Sequence, residues 1–217
     1  MSADGSRGWR SSFPPESSCG GRPRRNDVIE EPLHAIVLAA GASSRFGSAK
    51  QLVRIGDRPL LSLVAGRAAE VVGHALIVVL VARAAELTPL VKHSPGSVVV
   101  NRDWREGLAS SIRAGVARLP ASCAGVMLVL ADQARVTAED LRRLAGAWQR
   151  QPLCVAAARY GAAVGVPAIF PQHLFSELRE LRGDTGARAL LRRHADSLVK
   201  VPMASAAFDL DTPEDLL

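Results

Sequence analysis

Between Leu38 and Leu52 the chain reads LAAGASSRFGSAKQL, a run of small residues followed by an arginine and a lysine. Small side chains at 39–44 would let successive backbone N–H groups approach an anion closely. Arg45 can offer a planar fork of donors to phosphate oxygens, and Lys50 a compact positive charge. Such a loop suits phosphate binding; the alternative is an ordinary Gly/Ser turn flanked by two solvated cations. Neither standard nucleotide motif is present. A Walker A loop needs G-x-x-x-x-G-K-[ST], whereas Gly41 and Gly47 are one residue too far apart and Lys50 comes three after Gly47. A dinucleotide loop needs G-x-G-x-x-G, and position 43 is Ser.

Acids fall at the ends of apolar runs. Asp132 closes GVMLVLAD, and Asp209 and Asp211 stand two apart in DLDTPEDL, where a strand would put both on one face. Asp132 also fits a turn former at a strand end. Asp211 could cap a terminal helix, although Thr212 with Asp215 already supplies that box. His34, His74, His93, His173 and His194 have no metal-ligand spacing, and no Ser/His/Asp or Cys/His set stands out.

These residues must be carried by regular elements, and the apolar pattern supplies them. LHAIVLAA (33–40), ALIVVLVA (75–82), SVVV (97–100) and GVMLVLAD (125–132) are short continuous apolar runs, as expected for strands buried on both faces. PLCVAAARY and VPAIF read as further strands, with two more near 198–201 and 206–210. Leu60, Leu61, Val64, Ala68, Val71 and Val72 recur at helical spacing, as do Leu108, Ile112, Val116 and Leu119. Thr137 with Asp140 forms a capping box that opens a helix bearing Leu141, Leu144 and Trp148, and helices follow at 172–182 and 186–194. Gly56-Asp57 marks a turn. Strand alternating with helix predicts a mainly parallel sheet covered on both faces, which binds ligands at the carboxyl ends of its strands. The loop after residue 40 and Asp132 both belong to that edge.

A chain of 217 residues suits one compact domain. Residues 1–31, rich in Ser, Gly, Pro and charge and without periodicity, are expected to be a disordered extension, leaving 32–217 as the domain. No apolar run reaches the roughly 18 residues of a membrane span, and no secretory or transit pattern opens the chain. Cys19, Cys123 and Cys154 are odd in number and scattered, which points to core thiols and a cytoplasmic setting. The net charge of +6 is spread along helices, and aromatics at 4% are poor material for stacking bases, so an anionic small molecule explains the surplus better than nucleic acid does.

The loop resembles the L-A-[AG]-G-x-S-x-R-[MF]-G-x-x-K-x-L signature of nucleotidyltransferases with a Rossmann-like domain. It is most similar to the branch that makes molybdopterin dinucleotides. The likeness continues through NRDWREGLASSIRAG, LADQ, GVPAIFPQHLFSEL, LRGDTGARALL and DLDTPEDL, from residue 34 to the end. LAAG, GLASSIRAG and GDTGAR are more like the cytidylyl than the guanylyl members. The chain departs from the pattern in reading LADQARV, where a proline commonly follows the acid, and in having Phe46 for Met.

The resemblance implies a three-layer α/β/α fold with a mainly parallel, Rossmann-like (glycosyltransferase-A-like) sheet. It implies transfer of CMP from CTP to the terminal phosphate of molybdopterin, with release of pyrophosphate. Both reactants are anionic, so catalysis rests on positioning and charge screening. Leu38, Ala39, Ala40, Gly41 and Ser43 would bind the nucleotide, with backbone amides around Ala40 to Ser43 holding the triphosphate. Arg45, Lys50 and Asp132 would be catalytic and also bind nucleotide. Asn101 and Ser110, with Ser111 beside it, would contact the nucleotide, or the serines would simply satisfy a first helical turn. Gln133, Gly165, Pro167, Asp184 and Arg188 would line the pterin side. Mg²⁺ would sit on Asp132 and Asp211, with Asp209 the alternative to the latter. CTP and molybdenum cofactor would be the partners, with an apo-molybdoenzyme as transient recipient, and neither nucleic acid nor membrane. A related transferase using GTP or another phosphorylated acceptor, or a non-catalytic cofactor chaperone, are the competing readings.

Overall fold

The structure is a computed structural model that describes residues 32–39, 50–81, 83–208 and 210. The expected N-terminal extension 1–31, the loop 40–49 and the terminal stretch 211–217 lie outside the described residues.

In chain order the elements are β1 (Leu33–Ala39), a short hairpin of β2 (Arg54–Ile55) and β3 (Arg58–Pro59), α1 (Leu60–Val72), β4 (Leu76–Leu80), α2 (Ala84–Val91) and β5 (Ser97–Val100). There follow α3 (Leu108–Val116), β6 (Gly125–Leu130), α4 (Ala138–Gln149), β7 (Ala156–Tyr160), β8 (Ala163–Pro171), α5 (Phe175–Glu180), α6 (Arg188–Arg193) and β9 (Val199–Pro202). Seven strands form one sheet in the order β5-β4-β1-β6-β8-β7-β9. All run the same way except β8, which is antiparallel to both β6 and β7.

Alternation along β1 shows how three layers arise. Ala35, Val37 and Ala39 face one core with Leu60, Leu61 and Val64 of α1, Leu87 of α2, and Leu141, Leu144 and Trp148 of α4. Ile36 and Leu38 face the other core with Ile112 and Val116 of α3, Leu178 of α5 and Leu190 of α6. Successive side chains of a strand point to opposite faces, so a continuous apolar run buries itself only when helices cover both. The mainly parallel α/β/α sandwich expected from the pattern is the fold observed.

The parallel registers pair Ala39 with Leu80, Leu80 with Val100, and Leu38 with Leu130. The chain therefore leaves β1, β5 and β6 at one common edge, where it continues into the loop after Ala39, into Asn101 and into Asp132.

Three details differ from the pattern. The stretch expected as a strand near 206–210 is instead a 3-10 turn, Ala204–Ala207, with Leu210 in no regular element. Its amides bond locally and to the Asp132 loop rather than to a neighbouring strand: Ala206 N donates to Met203 O and Leu210 N to Asp132 O. The helix expected over 172–182 begins as a 3-10 turn, Gln172–Leu174, and is α-helical only over Phe175–Glu180. Helix α2 was not evident from the sequence because Pro89 lies inside it and reads as a breaker.

Candidate active site

At the carboxyl edge of the sheet, Lys50 Nζ donates to Asp132 Oδ2 at 3.2 Å. Lys50 opens the 3-10 turn Lys50–Leu52, and its side chain is only 12% exposed. Gln51 Nε2 reaches back to the carbonyl of Ala39 at 3.5 Å, which holds Gln51 against the end of β1. Ala40, Gly41, Ser43 and Arg45 belong to that loop and lie outside the described residues. So do Asp209 and Asp211.

The second oxygen of Asp132, Oδ1, is buried and has no hydrogen-bond partner. An ionised carboxylate oxygen without a donor is costly to bury, and a cation or a donor brought by substrate would relieve it. The loop bearing this acid is held from several sides. Arg67 of α1 donates through Nη1 to the carbonyls of Ala134 (2.7 Å) and Val136 (2.8 Å). The Arg135 guanidinium stacks 3.7 Å from the centroid of Phe208, and Leu210 N donates to Asp132 O at 3.0 Å. The chain between Asp209 and Asp211 is thereby tied to the backbone of Asp132.

Asn101 and Ser110 are brought together and share a hydrogen bond. The buried amide of Asn101 donates to Ser110 Oγ (2.8 Å) and Ser111 Oγ (3.0 Å), while its Oδ1 accepts from Asp103 N at 3.0 Å. Ser110 Oγ donates in turn to Gly107 O at 2.8 Å. This cluster braces the turn after β5 against the start of α3.

A cavity of about 360 Å³ opens beside this edge and unites Leu38, Gln133, Gly165, Asp184 and Arg188. These residues come from β1, the loop after β6, β8 and the segment leading into α6. Pro167 is next to the lining residue Val166 but does not itself line the cavity. Asp184 Oδ1 accepts from Leu108 N at 3.3 Å, and Gly183 O accepts from Ala109 N at 3.0 Å, which locks GDTGAR onto the first turn of α3. Gly107 is required at this junction: its φ is +98°, and a Cβ there would overlap Asp184 Oδ1 and the carbonyl of Gly183.

Sequence reasoning missed Tyr160, Arg192 and Arg67. Tyr160 and Arg192 line the cavity. The signal for Arg192 was its place one helical turn after Arg188. Tyr160 becomes a wall because β7 and β8 form a hairpin, pairing it with Ala163, and its hydroxyl occupies the space a Cβ at Gly165 would need. Arg67 carried no local signal, since its partners lie far along the chain.

Fold and site together define a nucleotidyltransferase: a three-layer sheet with cation and carboxylate at its carboxyl edge and an arginine-lined cavity beside them. The chain belongs to the MobA-like NTP transferase family, whose domain matches residues 35–198. It is similar to the purine catabolism protein PucB of Bacillus subtilis (strain 168), 28% identical, with 84% of this chain and 93% of that protein covered. The nicotine blue oxidoreductase of Paenarthrobacter nicotinovorans is also 28% identical, with coverages of 83% and 93%. Among solved structures, Rv0371c of Mycobacterium tuberculosis H37Rv superposes with a TM-score of 0.73 at 29% identity, over 85% of this chain and 94% of its own. A second structure of Rv0371c is a complex with manganese, with a TM-score of 0.66 at 27% identity, over 79% of this chain and 88% of that one.

Proposed function

We propose that this nucleotidyltransferase transfers CMP from CTP to the terminal phosphate of molybdopterin and releases pyrophosphate. The observation that carries the reading is the Lys50–Asp132 pair, whose remaining carboxylate oxygen is buried and unpartnered at the sheet edge where the glycine loop begins. The choice of cytidine rests on LAAG, GLASSIRAG and GDTGAR, which resemble the cytidylyl branch of the family.

In this reading backbone amides around residues 40–43 cradle the triphosphate, with Leu38 and Ala39 leading into them from β1, and Arg45 and Lys50 offset its charge. Lys50, oriented by Asp132, places its ammonium where negative charge builds on the α-phosphate as the pterin phosphate oxygen attacks. Such fixed donors need no reorganisation during the reaction, which is why they lower the barrier. Asn101 and Ser110 act on the nucleotide side by fixing the turn that faces it. Gln133, Gly165, Pro167, Asp184 and Arg188 form the pterin side, with Arg188 and Arg192 available to the acceptor phosphate.

A divalent cation fits the donor set. Asp132 Oδ1 is an oxygen without a partner, and Asp211, with Asp209 as the alternative, follows or precedes the residue tied to the Asp132 carbonyl. Hard cations such as Mg²⁺ are held by one or two carboxylates plus substrate phosphates, and manganese accompanies the related Rv0371c. When bound, the ion would supply charge neutralisation and alignment of the phosphates. The product would pass to an apo-molybdoenzyme in the cytoplasm.

The test is pyrophosphate release by the purified protein with molybdenum cofactor and Mg²⁺, comparing CTP with GTP. Turnover with CTP well above GTP is expected. A preference for GTP would overturn the base assignment, and cofactor binding without pyrophosphate release would make the protein a carrier.

A further inference from the structure

Gln133 is 2% exposed and lines the cavity, yet only one end of its amide is satisfied. Nε2 donates to Val166 O at 2.9 Å and to Ala206 O at 3.4 Å. Oε1 is buried without a partner. Turning the amide over would set its oxygen against two carbonyl oxygens, so the hydrogen-bond pattern itself fixes which end is left. A buried acceptor held in place with no donor is what a binding site presents before its ligand arrives.

The rest of the cavity narrows the ligand. Leu38, Ile112, Leu128, Leu130 and Val166 give it apolar walls, and Arg188 and Arg192 give it positive charge. Its volume of about 360 Å³ is in the range of small-molecule sites. Apolar walls with one fixed acceptor suit a flat ring with an N–H on its edge, and the arginines suit an anionic substituent on that ring.

We propose that Oε1 of Gln133 accepts a hydrogen bond from an N–H edge of a bicyclic heteroaromatic acceptor and so decides which rings enter this cavity. The inference rests on reading the cavity as the acceptor site. A nucleobase could offer an N–H too, and the two sources are separable. Asp132, next in the chain, has its own orphan oxygen. Adjacent residues thus present two unpaired acceptors of different kinds: a carboxylate suited to a cation, and a neutral amide suited to an N–H.

The experiment is fluorescence titration of the full chain with free pterin and with 2,4-dimethoxypteridine, a similar ring without N–H on that edge. The wild type and Gln133→Met are compared, and the KM for CTP is measured alongside. The wild type is expected to prefer pterin by roughly tenfold or more, since a site built around a hydrogen bond rejects a ligand that cannot make it. In Gln133→Met that preference should fall to about twofold or less, with the KM for CTP unchanged. The proposal is overturned if the wild type binds both rings alike or neither. It is equally overturned if Gln133→Met keeps the preference, or if the variant moves the KM for CTP instead. The wild-type comparison needs no variant to fold. Because free pterin carries no phosphate, the titration judges this proposal even if the turnover assay shows a different nucleotide or no transfer.

Discussion

Lys50 and Asp132, 82 positions apart in the chain, meet at 3.2 Å where β1 and β6 end side by side. The parallel register of those strands brings them to one edge, and the pairing aligns a cation with an acid that keeps a second oxygen in reserve. Removing either group should therefore affect turnover far more than folding. Lys50→Met and Asp132→Asn are each expected to lower kcat/KM by roughly a hundred- to a thousand-fold, the range seen when one preorganised charge stabiliser is lost. Circular dichroism should stay at the wild-type signal. Near-normal pyrophosphate release from either variant would remove the proposed roles.

Arg67 acts at a distance from the reacting atoms. Its two hydrogen bonds to Ala134 and Val136 hold the loop that carries Asp132 against α1. Losing them in Arg67→Met should cost about 2 kcal/mol, since charge-assisted hydrogen bonds contribute about 1.5–3 kcal/mol each and a flexible side chain recovers part. For a domain of this size that corresponds to a fall in Tm of roughly 4–8 °C. If the proposed divalent cation sits on Asp132, the sharper expectation is a several-fold rise in the divalent-cation concentration for half-maximal activity, partly restored in Arg67→Lys. A variant with lowered Tm and unchanged cation dependence would show that Arg67 only stabilises.

The sequence made some of this legible and hid the rest for physical reasons. Continuous apolar runs betray strands buried on both faces, so β1, β4 and β6 could be read directly, as could the edge their carboxyl ends share. The box of Thr137 and Asp140 is local chemistry and appears as expected. The reversal of β8 leaves no mark on composition, because a strand buried between neighbours reads the same in either direction. Position 206–210 looked like a strand through Ala206, Phe208 and Leu210, yet these side chains pack on a core as part of a loop. Asn101 is legible as a polar residue at a strand end, but its bonds to the two serines of α3 depend on where that helix starts and leave no mark on spacing. Gln133 was legible only through resemblance; its orphan oxygen depends on where Val166 and Ala206 fall, which no spacing reveals.

The cap of α4 gives a pH prediction with a definite sign. Burial pushes the Asp140 carboxyl up, but hydrogen bonds from the Thr137 amide, the Ser205 and Thr137 hydroxyls and Arg143 outweigh it. The net effect is a pKa below the ordinary value of 3.8. A carboxylate depressed on folding contributes stability above its unfolded pKa and loses it as pH falls through the folded one. Asp140→Asn should therefore be less stable than wild type by about 1 kcal/mol near neutrality, the usual worth of a cap. That gap should close below about pH 4. Urea melts at pH 7 and pH 3 would measure it, and a constant difference between the two would contradict the account.

Cys123 sits wholly inside the core on the α3 side of the sheet, with Sγ donating to Gly125 O at 3.2 Å. Burial pushes its thiol pKa up to about 11, while hydrogen bonds with the backbones of Gly125 and His34 pull weakly the other way. Only the thiolate is nucleophilic, so at pH 8 this cysteine lacks both charge and access. Iodoacetamide applied to the folded protein at pH 8 should leave Cys123 unmodified over hours, and the same reagent in 8 M urea should alkylate it fully. Peptide mass mapping reads the two states. Rapid modification of Cys123 without denaturant would mean that β6 and its neighbours open far more readily than so closely packed a sheet centre allows.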